Sequence, residues 1–498
     1  KKIIKNIYIF INELFSHKLI FLLICCYYIL ILFPAFDEDS LRYHLPIAKL
    51  INDKKFFEFY WLDYLTIGTS EYLNSFFLDF KFDNGSSFLN FFSIIYIVLS
   101  ISFFNKKFFK NKISPYNLLI LLSAPYFIAL MTSQKLYLLP CYISVFAISY
   151  QYLNRKKITL SESVLLSIGI IFMFITKATF IPYALLFYVI SVYFFSKKEI
   201  LFFLSITFFL FIALYFPIIF FKIEIFKDPL LPIIQLNQEN YKWFLDYKYF
   251  LTDLQMDYTQ KFDSLILRFI LTPVKLIFPL NLGDIFKCFG ISILFIFTVS
   301  KKNKVIVFFT FFMFLNVFLL LNTQTRWFLP LLVFLSLFAQ FNRFVLLNKL
   351  MIYQAIGVLT ILLPLSFVTI LGQLKIVSNE KIINKFQSSN VIIKNVNKIT
   401  SSHKVFTDIN HWYKLKNYIP IYYPKISTKQ NKNIYTNKAI NNDYVLWEKK
   451  YLDIKDFVNN YLKCKKYKFI KSYKYNNSRL FLFEKTSEIH LYQLTQCS

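Results

Sequence analysis

The sequence predicts an all-α polytopic membrane bundle with a small C-terminal extracytoplasmic α/β domain. Three observations support this fold class. Apolar runs of about 20 residues, long enough to cross a bilayer, recur between residues 19 and 371. These runs are continuous and do not alternate apolar with polar residues, which argues against a membrane β-barrel. Short turns rich in lysine and arginine recur between alternate pairs of runs, as is typical of cytoplasmic turns.

Eleven candidate spans follow from the apolar runs. They cover residues 17–36, 86–104, 116–132, 136–153, 162–176, 178–195, 200–221, 285–300, 305–321, 328–345 and 350–372. With the N-terminus in the cytoplasm, all of the basic turns fall on the inner side: 106–112, 155–157, 197–198, 301–304 and 343–349. An odd number of spans then places the C-terminus outside the cytoplasm.

This topology divides the chain into two domains. Residues 1–373 form the transmembrane domain, and residues 374–498 form a soluble extracytoplasmic domain. The first span lacks a small-residue cleavage site, so we expect a retained helix. The tail is polar, with short β-like runs at 444–447 and 480–483 and a helical stretch at 454–462, which favours an α/β fold.

Two further regions face outward before the tail. In the acidic outer loop, residues 37–85, the stretches 40–52 and 69–80 have the pattern of amphipathic helices that lie on a membrane surface. The second region, residues 222–284, is interrupted by prolines. These regions are the places where polar chemistry at the outer face is expected.

Charge and cysteine content restrict the function classes. The net charge is +29, but the lysines are spread widely and accompany abundant Asn, Ile, Phe and Tyr, as in an A+T-rich coding sequence. Nucleic acid is therefore not an expected partner, whereas membrane lipids are. The six cysteines show no metal-ligand spacing, and Cys464 and Cys497 could form a disulfide if the tail is extracytoplasmic.

An acidic triplet, Asp37, Glu38 and Asp39, directly follows the first span. The stretch from residue 37 to residue 83 holds 9 of the chain's 28 acidic residues. Carboxylates at a low-dielectric boundary have pKa values raised towards the range of a general base by desolvation and mutual repulsion. The alternative is a solvated cluster that ends the helix and helps to fix topology. Glu71 is a second acidic candidate in the same loop.

Three cations lie at the predicted outer ends of spans. Arg326 precedes Trp327 and is either an interfacial anchor or a clamp for a phosphate group, because the guanidinium forks onto phosphate oxygens. Lys177 and Lys135 lie at the same level, either buried or snorkelling. Cations and carboxylates thus converge on one side, which suits an anionic lipid leaving group beside a general base. An ion-coupled transporter fits less well, since no charge falls in mid-span.

These residues together resemble the GT-C superfamily of membrane glycosyltransferases, in particular the bacterial branch related to protein O-mannosyltransferases and lipid A aminoarabinose transferases. Residues 39–46 (DSLRYHLP) are similar to that branch's acidic stretch after the first span, and residues 71–73 (EYL) to its later E-L element. Residues 175–179 (ITKAT), 228–232 (DPLLP) and 326–330 (RWFLP) resemble three further motifs in the same order. The resemblance covers about residues 17–345.

The resemblance implies inverting transfer of a sugar from a polyprenyl-phosphate-linked donor at the outer face of a bacterial inner membrane. A carboxylate, Asp39 with Glu38 or Asp37 as alternates, would take a proton from a lipid, glycan or protein acceptor. Arg326, Lys177 and Lys135 would bind the donor phosphate. Tyr43, His44 and Glu71 would contact substrate.

The sequence leaves cofactor use and two other functions open. Many relatives in the resembled branch carry an acidic residue where this chain has Ser133, Gln134 and Lys135. A divalent metal held by paired loop acids is therefore possible but unsupported, and no cofactor is expected. The alternative functions are a lipid-linked polysaccharide polymerase or ligase, and a non-catalytic transporter of lipid-linked sugars. An assay of sugar release from the lipid carrier separates transfer from transport.

Overall fold

The computed structural model describes most of the chain, with gaps. The described residues are 17–33, 35, 40–54, 67–109, 114–154, 159–177, 180–195, 197–226, 265–279, 282–299, 325–341, 344–378, 389–407, 414–420, 439–448, 454–460, 462–479 and 483–497. Within them the protein is mostly helical and ends in a small β-sheet.

The helices of the N-terminal part form one bundle with an apolar core. They are α1 Lys18–Leu30, α2 Leu45–Asn52, α3 Thr69–Asp79, α4 Gly85–Phe104, α5 Asn117–Leu122, α6 Tyr126–Met131, α7 Leu138–Asn154, α8 Leu160–Thr176, α9 Ile181–Phe194, α10 Lys197–Phe226, α11 Leu265–Ile277, α12 Leu329–Phe338 and α13 Val345–Gln373. Leu, Ile and Phe side chains from most of these helices pack into a single buried cluster.

Among the described residues, three stretches of helix are long and apolar enough to cross a membrane. They are Gly85–Phe108, Glu199–Glu224 and Val345–Gln373, with 24, 26 and 29 residues. The second of them exposes Phe208, Phe209 and Phe216 on its surface. An exposed apolar surface of this kind is unfavourable in water but is compatible with contact to lipid tails. The protein is therefore a candidate membrane protein by helix length and composition.

Several predicted spans are shorter or more broken than the apolar runs suggested. The run 116–132 forms two short helices, α5 and α6, which are separated at Ser123 and Ala124. Pro125 directly precedes the second helix, and its missing N–H prevents one continuous helix across this point. The run 285–300 contains the 3₁₀ segment Gly290–Thr298, and the run 305–321 lies outside the described residues.

The outer loop forms the two helices that its pattern predicted. A π-helical turn, Ser40–His44, leads into α2, and α3 follows after the undescribed residues 55–66. The apolar side of α2, including Ile47 and Leu50, is buried in protein.

The tail contains a mixed five-stranded sheet, which confirms the predicted α/β character. Its elements are α14 Ser389–Thr400, β1 Val405–Thr407, β2 Tyr418–Pro420, β3 Tyr444–Glu448, α15 Ile454–Asn460, β4 Cys464–Arg479 and β5 Phe483–Cys497. The strand order is β2-β1-β3-β5-β4, with β1 parallel to both of its neighbours and the last two pairings antiparallel. The predicted β-run 480–483 lies mostly outside the described residues. A disulfide joins Cys464 to Cys497 across the β4–β5 pair.

The tail packs directly on the acidic outer loop. One buried apolar cluster includes Leu45 and Ile47 of α2, Tyr215 of α10 and Trp447 of the sheet. Polar contacts reinforce this packing. The Tyr418 hydroxyl donates to Asp53 Oδ2 at 2.7 Å, and Lys414 Nζ lies 3.9 Å from Asp83 Oδ2. At least two of the loop's acids therefore contact the tail rather than open solvent.

Candidate functional site

A buried histidine–carboxylate pair joins the two helices of the outer loop. His44 Nδ1 contacts Glu71 Oε1, and each residue is only 1% exposed. The other oxygen of Glu71 accepts the Gly68 N–H at 2.7 Å, which fixes the carboxylate at the start of α3. Protein groups therefore fix the position of both side chains, and bulk water does not reach the contact between them.

The surroundings of His44 favour a neutral imidazole. Burial lowers the pKa of His44, Glu71 opposes this effect, and the positive charges of Lys177 and Lys135 lower the pKa further. A carboxylate oxygen accepts hydrogen bonds and does not donate them. The hydrogen between the two residues is therefore assigned to Nδ1, which leaves a lone pair on Nε2.

Lys177 is a buried cation held by tyrosines. It lies directly after α8, is 7% exposed, and donates to the Tyr137 hydroxyl at 2.7 Å and to the Tyr43 hydroxyl at 3.2 Å. Its ammonium also lies 5.3 Å and 5.5 Å from the centres of these two rings. Tyr43 in turn packs against the His44 ring, with the ring centres 4.2 Å apart. The cation and the histidine–carboxylate pair therefore form one connected site.

The segment that carries Lys135 is extended and is held by polar side chains on three sides. The Gln134 N–H donates to Ser40 Oγ at 2.6 Å, and Asn74 Nδ2 donates to the Gln134 carbonyl at 3.1 Å. Asn90 Nδ2 donates to the Lys135 carbonyl at 2.7 Å. Non-helical backbone inside a membrane bundle requires such partners. These contacts fix Lys135 beside the site.

Arg326 lies in the short 3₁₀ turn Thr325–Phe328, and both of its neighbours in the chain are anchored. The Thr325 hydroxyl donates to the Lys287 carbonyl, and the Tyr183 hydroxyl donates to the Trp327 carbonyl. Arg326 and Lys135 both interact electrostatically with Tyr126, just as Lys135 and Lys177 both do with His44. Lys135 and Lys177 are thus both near His44, and Lys135 and Arg326 are both near Tyr126; we call Lys135, Lys177 and Arg326 the basic cluster.

Of the candidates that the sequence indicated, the structure describes six. Direct contacts or electrostatic interactions with His44 join Tyr43, His44, Glu71, Lys135 and Lys177, whereas Arg326 is linked to Lys135 through their common neighbour Tyr126. Asp37, Glu38, Asp39 and residues 228–232 lie outside the described residues, so their roles stay predictions.

Sequence reasoning missed the tyrosine and the amides that hold the lysines. Tyr137, Asn74 and Asn90 were not singled out, although Asn90 and Ser86 are polar residues four positions apart in an apolar run. That spacing places them on one face of a helix, which was the available signal.

Gly68 permits the close approach of α3 to the Lys177 segment. A Cβ at this position would lie 2.6 Å from the Ile175 carbonyl oxygen and 2.8 Å from the Thr176 carbonyl carbon, so backbone would have to move.

We expect Gly68→Ala to destabilise the protein by about 1–3 kcal/mol, the usual range for overpacking. Thermal unfolding in detergent measures the effect. Gly357→Ala is the matched control because nothing lies within 4 Å of that Cβ. Equal melting temperatures for the two variants would contradict this expectation.

Among the described residues, no three His, Cys, Asp or Glu side chains are close enough together to hold a metal ion. The polar atoms that face one another at this site are instead an imidazole, a carboxylate, phenolic hydroxyls and ammonium groups. Such a set binds anions and hydroxyl groups.

Comparison with known proteins places the chain in a family defined by sequence. Residues 1–383 match the family model described as the DUF1420 N-terminal domain. This match includes the outer loop, the histidine–carboxylate pair and the basic cluster, and it leaves out the sheet of the tail. No curated protein and no solved structure matches the chain. Because the match covers more than half of the 498 residues, the chain belongs to the DUF1420 family.

Proposed function

We propose that this protein is a GT-C-type glycosyltransferase that moves a sugar from a polyprenyl-phosphate-linked donor to a lipid, glycan or protein acceptor. The observation that carries the proposal is the basic cluster. Lys177 is 7% exposed in a largely apolar bundle, and Lys135 is fixed nearby. An ammonium group attracts phosphate oxygens, and a lipid phosphate is an anion that can reach such a depth.

The proposed reaction is an inverting displacement. The acceptor oxygen or nitrogen attacks the anomeric carbon, and the bond from that carbon to the phosphate oxygen breaks. Polyprenyl phosphate leaves with the electron pair, and its charge is held by the basic cluster. Asp39, with Glu38 and Asp37 as alternates, takes the acceptor's proton. Inversion and the choice of Asp39 rest on the sequence resemblance.

The proposed location is a bacterial inner membrane with the site on the outer face. The shared apolar cluster of the outer loop and the tail supports a common side for both. We therefore expect a reporter that is active only in the cytoplasm to stay silent when it is fused after Ser498. The same reporter fused into the basic turn at 155–157 should be active. The reverse pattern would overturn the topology and the proposed mechanism with it.

The first test of function is the identity of the bound lipid. Purification in mild detergent followed by mass spectrometry should detect a polyprenyl phosphate, with or without its sugar. Release of sugar from the carrier in the presence of acceptor would then separate transfer from transport. A polymerase or ligase would instead lengthen or move a lipid-linked glycan. A protein that binds no polyprenyl phosphate contradicts the proposal.

Arg326 distinguishes a phosphate clamp from a membrane anchor. Lysine offers a point charge in place of a planar fork, so Arg326→Lys should weaken donor binding by about 1.5–3 kcal/mol while expression stays normal. A titration with polyprenyl phosphate measures the change. Arg343→Lys, in a turn predicted to lie on the inner side, serves as the control. Unchanged donor affinity in Arg326→Lys would leave this residue as an anchor only.

A further inference from the structure

One nitrogen of the histidine–carboxylate pair lacks a partner. His44 Nε2 is completely buried, and none of the described residues forms a hydrogen bond with it. His44 as a whole is 1% exposed, so bulk water does not supply the partner. Buried polar atoms in folded proteins are nearly always hydrogen-bonded, and an exception calls for an explanation, such as a functional role or a bound group.

The chemistry of the missing partner follows from Glu71. Because the carboxylate holds the hydrogen of the imidazole on Nδ1, Nε2 presents a lone pair and can only accept. The missing partner is therefore a hydrogen-bond donor. Lys177 and Lys135 both interact electrostatically with this ring, so a positively charged donor would be repelled. A neutral hydroxyl group satisfies both conditions.

The position of His44 indicates which hydroxyl group this is. His44 follows Tyr43 in the chain and packs on its ring, and Tyr43 accepts a hydrogen bond from Lys177. The imidazole thus lies next to the cations that would hold the donor phosphate. In a lipid-linked sugar, the sugar hydroxyls are the O–H groups nearest to that phosphate.

We propose that His44 Nε2 is a binding site for a hydroxyl group of the donor sugar, with Glu71 as the positioning residue that keeps the imidazole in its accepting form. This inference rests on the proposed function. It adds that the protein recognises the sugar through one buried acceptor atom, His44 Nε2, in addition to binding the lipid phosphate through the basic cluster.

Two substitutions at His44 separate the two ring nitrogens. The amide of asparagine is as many bonds from Cα as Nδ1, so His44→Asn can keep the contact with Glu71 while it removes Nε2. The amide of glutamine reaches the position of Nε2, so His44→Gln restores an acceptor there. The full-length protein in lipid nanodiscs would be titrated with bare polyprenyl phosphate and with the same lipid carrying glucose, mannose or an aminopentose.

The wild-type protein should bind at least one sugar-bearing lipid more tightly than bare polyprenyl phosphate. His44→Asn should weaken binding of that lipid by about five- to tenfold, the effect of one hydrogen bond, and should leave the affinity for bare polyprenyl phosphate unchanged. His44→Gln should recover part of the loss.

Three results would overturn the inference, and a fourth would overturn the proposed function on which it rests. Equal affinity of the wild-type protein for bare and sugar-bearing lipids would show that no sugar contact exists. An unaltered preference in His44→Asn would exclude Nε2 as the contact. Loss of bare-lipid affinity in both variants would assign His44 to the phosphate site or to the stability of the bundle. A wild-type protein that binds neither kind of lipid would refute the proposed function itself.

Discussion

Replacing Asp39 by asparagine is expected to reduce sugar-transfer turnover by about 10²–10⁴-fold, the range typical for loss of a general base. Asparagine keeps the size of the side chain and removes its ability to take a proton. Asp39 is the chain neighbour of Ser40, whose hydroxyl accepts the Gln134 N–H beside Lys135. The sequence resemblance makes Asp39 the expected base for the acceptor.

The matched controls are Asp37→Asn and Glu38→Gln, which remove the same charge from the same triplet. Donor binding and thermal unfolding should be similar in all three variants, because each change is nearly isosteric. If Asp37→Asn or Glu38→Gln is the damaging change, the assignment within the triplet is wrong. If all three variants keep their turnover, the triplet is a solvated cluster that ends the first span.

Replacing Lys177 by methionine is expected to weaken binding of polyprenyl phosphate by about 2–5 kcal/mol, the range for truncating one member of a buried, hydrogen-bonded charge pair. The ammonium is held between the hydroxyls of Tyr43 and Tyr137, so it is already in place before the phosphate arrives. Pre-positioning of this kind reduces the entropic cost of binding. Isothermal titration with the bare lipid measures the loss.

Lys107→Met is a suitable control for this experiment. Lys107 also donates to a tyrosine hydroxyl, that of Tyr150 at 2.7 Å, and lies 4.5 Å from the centre of the same ring. It belongs to a basic turn on the predicted inner side, away from the basic cluster. Thermal unfolding of both variants is measured beside donor affinity, because Lys177→Met also removes the hydrogen bonds to Tyr43 and Tyr137. Equal donor affinity in the two variants would remove Lys177 from the phosphate site.

The location of the helices was predictable from the sequence because hydropathy acts locally. The long apolar runs at 86–104, 200–221 and 350–372 became the three helices long enough to cross a membrane. The break between α5 and α6 was not predicted, because the short Ser-Ala-Pro stretch at 123–125 hardly lowers the hydropathy of the whole run.

The candidate site was predictable residue by residue but not as an arrangement. Charge beside apolar runs singled out Glu71 and Lys177, and the resemblance of residues 39–46 to a known motif singled out His44. The sequence provided no sign that His44 and Glu71 contact each other, or that Tyr137 holds Lys177, since such pairings depend on how distant segments pack.

By itself the sequence determined the class of protein, the order of its segments and the residue types available at one face of the bundle. These properties follow from local hydropathy and charge, which each residue contributes wherever it is placed. Only the tertiary structure decided which groups meet. It joined His44 to Glu71 across 27 residues and Lys177 to Tyr43 across 134. It also docked the tail on Asp53 and Asp83. Contacts between distant segments depend on the packing of whole helices, and that packing is a property of the complete fold.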